Sequence, residues 1–231
     1  MIESQHQIVI NKLNHFEMKK VLAIVALVAA MFVAGNAQAQ TTIYAAYAPE
    51  TFKAETSAFG STVVNKTQYQ GFAVGFSQNI GLYKDFGIAA GAQFRMNMRS
   101  TKDTGTLVDI TTKDTQMLID VPVLLNYSFN INRDFSITPF VGPMLSLGLS
   151  GKTLSRTQEH ILNTTTETTY NWYGEDGNMS RFNLYVVFGG NIRFSNFNFF
   201  GGYRMGLLNV STFNDASLKT NGMFVGLGYS L

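Results

Sequence analysis

Along the chain, large apolar residues return at every second position in several long stretches, most clearly from Met117 to Phe129. Met117, Ile119, Val121, Val123, Leu125, Tyr127 and Phe129 share one parity, and Asp120, Pro122, Asn126 and Ser128 fall on the other. A period of two places these sets on opposite faces of a β-strand. A half-buried strand of a soluble protein usually spans about five or six residues, whereas a tilted strand crossing a bilayer needs about nine to eleven. Met117–Phe129 is longer than either. We therefore expect a membrane-crossing strand, apolar face on lipid and polar face on a barrel interior.

The same alternation predicts seven further strands. Thr41–Ala48 is a weak first one, followed by a polar loop over Pro49–Lys66. Thr67–Gln78 and Phe86–Met98 are joined by a turn through Gly81, Lys84 and Asp85. In the second of these, Phe86, Ile88, Phe94 and Met96 oppose Gly87, Gln93, Arg95 and Asn97. The charged, Thr-rich loop Arg99–Thr115 leads into the 117–129 strand, and the turn Asn130–Asp134 leads out to Phe135–Leu149. Ser150–Met179 is the longest loop. Arg181–Phe194 and Phe197–Asn209 are linked by Ser195–Asn196, and Val210–Asn221 precedes the last strand, Gly222–Leu231.

Long and short connections thus alternate. Outer-membrane barrels show this asymmetry, with an even strand count, short periplasmic turns and longer outer loops. The predicted fold is all-β, an eight-stranded antiparallel up-and-down transmembrane β-barrel. Phe86, Tyr127, Phe129, Phe135, Phe194, Phe197 and Phe199 gather beside the short turns on the outward parity, where an interfacial girdle belongs.

Composition agrees with an apolar exterior. Of 231 residues only 14% are charged and 13% are aromatic, against a usual charged share of about a quarter. A net charge of +2 gives no reason to expect nucleic acid as a partner. The absence of Cys excludes a disulfide framework and thiolate metal sites. Near the start, Met18-Lys19-Lys20, the apolar run Val21–Gly35 and Ala37-Gln38-Ala39 have the layout of a secretory signal peptide cut before Gln40. The apolar run is too short for a spanning helix, which needs about twenty residues. Residues 1–17 are then expected to be an extension ahead of the true start, 18–39 a signal peptide and 40–231 the barrel. With no spanning-helix candidate after residue 39, an exported membrane protein must close its strands into a barrel, because lipid cannot satisfy free backbone groups.

The run Asp120-Val121-Pro122-Val123-Leu124-Leu125-Asn126-Tyr127 resembles the acidic-x-Pro-Leu-Leu strand of Bacteroidetes-type outer-membrane β-barrel proteins, the PorT-like group. Pro139-Phe140-Val141-Gly142-Pro143 and Gly226-Leu227-Gly228-Tyr229 are similar as well. The resemblance covers the chain from Gln40 onward and implies an eight-stranded barrel in the outer membrane. Some members of that group belong to a protein-secretion apparatus.

Chemistry can reside only among inward-facing polar residues. Arg95, Asp120, Arg204 and Arg193 form a candidate interior cluster. Counted from their short-turn ends, Arg95 and Asp120 stand at equal height and are expected to pair; Arg204 reaches toward the same layer, and Arg193 lies near the periplasmic mouth. One reading is a network that neutralises charge inside a barrel just wide enough for side chains. The other is a polar conduit or ligand pocket. Catalysis is not expected: triads and dyads need a His beside a nucleophile, and after residue 39 only His160 remains, inside a loop. No metal-ligand spacing occurs and no cofactor is implied. Gly189-Gly190 and Gly201-Gly202 sit inside strands, where they mark curvature or crowding.

The expected function is an integral outer-membrane scaffold or the membrane component of a larger assembly, surrounded by outer-membrane lipid. Loops Pro49–Lys66, Arg99–Thr115 and Ser150–Met179 would receive envelope protein partners. The alternative is a small-solute channel or ligand-binding barrel. A secreted soluble barrel is disfavoured, because the outward Phe and Leu band exceeds the few hundred Å² of apolar patch a soluble monomer carries.

Overall fold

The computed structural model describes residues 40–58, 61–160, 164–174, 177–213 and 216–231. The expected extension 1–17 and signal peptide 18–39 lie outside the described residues. The strands are β1 Gln40–Tyr47, β2 Glu50–Ala58, β3 Ser61–Tyr83, β4 Phe86–Thr104, β5 Val108–Tyr127 and β6 Phe129–Asn130. After them come β7 Phe135–Glu159, β8 Thr164–Asn171, β9 Phe182–Phe194, β10 Phe197–Gly206 and β11 Ala216–Ser230.

All pairings are antiparallel, and the sheet closes on itself. β1 and β2 are two halves of one stave, each lying between β3 and β11. The circuit then runs β3, β4, β5, β7, β9, β10, β11 and back, making eight staves. β6 and β8 add to β7 outside the circuit. Closure leaves no free edge across the apolar band, which a spanning sheet requires.

Parity sorts the side chains as the alternation predicts. Outward Phe72, Val74, Phe94, Leu125, Phe188, Val225 and Leu227 are 39–62% exposed, whereas inward Arg95, Asp120 and Arg204 are 2% exposed or less. Charge inside and hydrocarbon outside is the reverse of a soluble domain, and suits lipid as the surrounding solvent. At the short-turn end the outward aromatics pack edge to face. Ring centroids are 4.7 Å apart for both Phe86–Tyr127 and Tyr127–Phe129, and 5.4 Å apart for Phe197–Tyr229.

The staves are longer than expected. The regions predicted as loops Pro49–Lys66 and Arg99–Thr115 are hairpins, β2–β3 and β4–β5, that continue the ladder beyond the apolar band. Ser150–Met179 holds the end of β7 and the strand β8 paired to it. Val210–Asn221 contains the start of β11. The alternation fails there for a physical reason: above the lipid both faces of a strand meet water, so polar residues occupy both. The β-branched Thr residues that suggested a loop are good strand formers. The register between β5 and β7 also slips between Met117 and Leu118, leaving Leu149 as a bulge. Beyond it Gly151 and Thr153 face inward in place of even-numbered residues.

One interruption matters for the interior. Between β1 and β2, Ala48-Pro49 leaves the ladder, yet the register on either side is unchanged. Tyr47 pairs with Phe72 and Val225, and Glu50 with Tyr69 and Gly222. Pro49 has no N–H to donate. Ala48 N still donates to the Gly71 carbonyl at 2.7 Å. Gly71 is required at that crossing, because a Cβ there would collide with the Ala48 carbonyl.

Candidate functional site

The lumen has three levels. At the outer end Trp172 and Tyr173, from the stretch following β8, fold inward onto Phe52 and Tyr69. The four rings are 6–7% exposed and form a plug. Phe52–Tyr69 centroids are 4.5 Å apart, and Trp172 stands edge-on to both at about 6 Å. Trp172 Nε1 donates to Thr153 Oγ1 at 2.8 Å, and Thr153 Oγ1 donates to Asp114 Oδ1 at 2.7 Å. Gly151 makes room for the plug, since a Cβ would lie 2.9 Å from the Trp172 ring.

Below the plug is a group of four buried charges. Arg95 Nε donates to Asp120 Oδ2 at 2.7 Å and its Nη2 to Oδ1 at 3.2 Å. Its Nη1 donates to Glu50 Oε2. Arg204 Nη2 lies 3.9 Å from the same Glu50 oxygen. Two guanidinium groups therefore face two carboxylates, and their formal charges cancel. Such a group is tolerable out of water only when the remaining lone pairs are also satisfied. Here they are. Asp120 accepts from Ser146 Oγ at 2.5 Å and Gln93 Nε2 at 2.8 Å; Glu50 accepts from Asn97 Nδ2 at 2.6 Å and Tyr185 Oη at 2.7 Å. Asn97 continues to Gln116 at 2.8 Å, and Gln116 to Tyr173 Oη at 2.7 Å, tying the cluster to the plug. The void between plug and cluster is about 10 Å³, no more than one water occupies.

Arg95 and Asp120 meet as their heights predict, although the residue directly opposite Asp120 is Gln93 and Arg95 reaches back along the diagonal. Arg204 joins them. Arg193 does not. It lies opposite Asn198, six rungs below Arg204 on the β9–β10 ladder, or roughly 20 Å along the strand, too far for any side chain to bridge. Its Nη1 donates instead to Gln40 Oε1 at 3.3 Å. Glu50, Asn97 and Tyr185 were missing from the sequence-derived cluster. Glu50 lay in a supposed loop, and Tyr185 hides among polar residues of the inward parity. The usable signal was inward parity carried past Pro49, which also turns Phe52 inward.

The third level is a cavity of about 360 Å³ beneath the cluster. Arg204, Gln93 and Met144 close it above, and it opens at the short-turn end among Lys84, Asp85 and Asn130. Its deep wall is apolar, with Tyr44, Leu124, Phe140, Phe200 and Phe224. Nearer the mouth it is lined by Asn126, Asn191, Asn198, Ser136 and Thr138.

A sequence model of the family described as outer membrane protein beta-barrel domain matches residues 23–230. No curated protein matches the chain. Among solved structures, Ail, the attachment invasion locus protein of Yersinia pestis, is similar at 14% identity, with 83% of this chain and 99% of that one covered and a TM-score of 0.39. Neisserial surface protein A is similar at 13% identity, 82% and 97% coverage and a TM-score of 0.37. The outer membrane protease OmpT from Escherichia coli is similar at 8% identity, 84% and 97% coverage and a TM-score of 0.35.

Proposed function

Because the chain belongs to the outer membrane protein beta-barrel domain family, we propose that it acts as a non-catalytic scaffold, the membrane component of a larger envelope assembly. The barrel lies in the outer membrane, its apolar band in lipid and its short turns toward the periplasm. The observation that carries the proposal is the closed lumen: an aromatic plug and a neutral ion cluster lie in series above a blind cavity. A solute channel needs a continuous wet path, which this interior interrupts twice. The long hairpins β2–β3, β4–β5 and β7–β8 supply the surfaces for envelope protein partners, with exposed polar strands such as Thr164–Asn171 standing clear of the lipid. The PorT-like character of Asp120–Tyr127 suits a place in a secretion or envelope assembly.

An enzyme reading has less support. The single His among the described residues, His160, lies 3.3 Å from Asp109 at a hairpin tip, with Lys102 as that carboxylate's other neighbour. A His–Asp pair without a nucleophile lacks the reacting group of a triad. Planar-bilayer recordings of the purified barrel test the scaffold reading. Electrical silence is expected, and stepwise single-channel conductance in the unaltered protein would overturn it.

A further inference from the structure

The blind cavity at the periplasmic end is a poor thing to leave filled with water. Phe140, Phe200 and Phe224 carry inward parity and are only half-buried, so their remaining exposed surface faces the lumen and not lipid. They form one wall: Phe140–Phe224 and Phe200–Phe224 centroids are each 6.3 Å apart, and Tyr44 stands edge-on to Phe200 at 5.3 Å. Wet aromatic surface in a concavity is the usual mark of a site for an apolar ligand.

The mouth has the opposite chemistry. Among the described residues no carboxylate comes within ion-pair distance of Arg193, and its Nε is buried without a hydrogen-bond partner. Among these residues, Arg193 therefore has no counter-charge at the rim of the apolar chamber. Lys84 adds a second cation there, against the single carboxylate of Asp85. The buried side-chain oxygens of Asn126 and Asn191 also lack donors. A buried polar atom left unpaired is costly unless something supplies its partner.

Shape narrows the ligand further. The cavity extends from Arg204 to the level of Asn198, roughly 20 Å along the strand. Spread over that depth, about 360 Å³ leaves the width of one chain. It is closed above, so entry is from the periplasm alone.

We propose that this cavity binds a single-chain anionic amphiphile, an acyl chain inserted tail-first against Phe140, Phe200 and Phe224 with its acidic head on Arg193. A hydroxyl or amide N–H in the head would satisfy Asn126 and Asn191. This proposal does not rest on the scaffold reading: the site would exist in a silent barrel or a conducting one.

Photolabelling with a diazirine-bearing dodecanoate tests it, using the full barrel in nanodiscs of zwitterionic phosphatidylcholine. Residue-level mass spectrometry then reads the parity of the labelled positions. Label on Phe200 and Phe224 supports the site. Label confined to their outward neighbours Phe199 and Val225 reports only probe dissolved in the bilayer, and overturns it. Arg193→Gln is expected to reduce inward labelling by the carboxylate probe about tenfold, the worth of one charged hydrogen bond. The same variant should leave labelling by the matching uncharged alcohol unchanged. Equal loss for both probes, or loss for neither, would overturn the placement of the head. Because Arg193 makes one hydrogen bond, to Gln40, the variant should melt with the parent. Ala89→Phe, at the lumen wall, should abolish inward labelling by both probes.

Discussion

Arg204 Nη2 lies 2.7 Å from the carbonyl oxygen of Ala48, so a side chain of β10 holds the backbone of the first stave at its one interruption. The same nitrogen reaches the Pro49 carbonyl at 3.2 Å. Two acceptors that Pro49 detaches from the ladder are thereby taken up by an arginine whose charge is balanced by Glu50. Arg204→Met should leave both carbonyls short of a donor and Glu50 without one of its two counter-charges. Breaking a buried ion group from one side costs about 3–5 kcal/mol. The expected result is a clear fall in the temperature at which the folded band disappears on an unboiled gel.

Asp120→Ala should destabilise by a similar amount, about 3–5 kcal/mol, because Arg95 keeps only Glu50 as a counter-charge. Arg95→Met combined with Asp120→Leu should cost less than the two single changes together, with a coupling of about 0.5–3 kcal/mol. Urea titration in vesicles measures Asp120→Ala, the two single changes and the double variant. Strict additivity would mean that the two side chains do not act on one another.

The outward face is tested at Val225, which is 62% exposed and four residues above Tyr229 of the lower girdle. Val225→Arg should cost about 2–4 kcal/mol if the site lies near the bilayer midplane. Thr168→Arg on the exposed strand β8 should stay within about 0.5 kcal/mol. Equal effects at both positions would show that Val225 meets water.

Acid should loosen the β4–β5 tip before the barrel. His160, with its Nε2 3.3 Å from Oδ1, and the Lys102 ammonium 3.4 Å from Oδ2 hold the Asp109 carboxyl below its ordinary range. A carboxyl lowered in the folded state favours folding above its unfolded value, about 3.9, and that contribution disappears as pH falls through the folded value. Amide exchange around 102–109, corrected for intrinsic chemistry, should therefore accelerate below about pH 4. In Asp109→Asn that acceleration should be absent.

Legibility in the sequence followed the solvent. Where strands cross hydrocarbon, one face must be apolar and the other need not be, so Met117–Phe129 or Phe86–Met98 could be read residue by residue. Arg95, Asp120 and Arg204 were visible for the same reason, as charges on the inward parity. Outside the bilayer that constraint lapses, and the hairpins of β2–β3 and β4–β5 looked like loops. Glu50 fell just past a proline in that unreadable zone, although it is the carboxylate both arginines share. The plug was hidden more deeply. Trp172 and Tyr173 return into the lumen only because Gly151 and Gly148 leave space on a neighbouring strand, a long-range fit with no local pattern.

The ladder between β7 and β9 stops at Leu147 and Phe182, yet β7 runs on to Glu159. That is about twelve further residues, on the order of 40 Å of strand, with β3, β4 and β5 also extended on the same side. The rim is consequently tall along one arc and low along the other. A cylinder with a level top looks the same from every compass bearing in the plane of the membrane. This one has a front and a back, so any neighbour that leans on the tall arc must also fix the angle to which the barrel is turned.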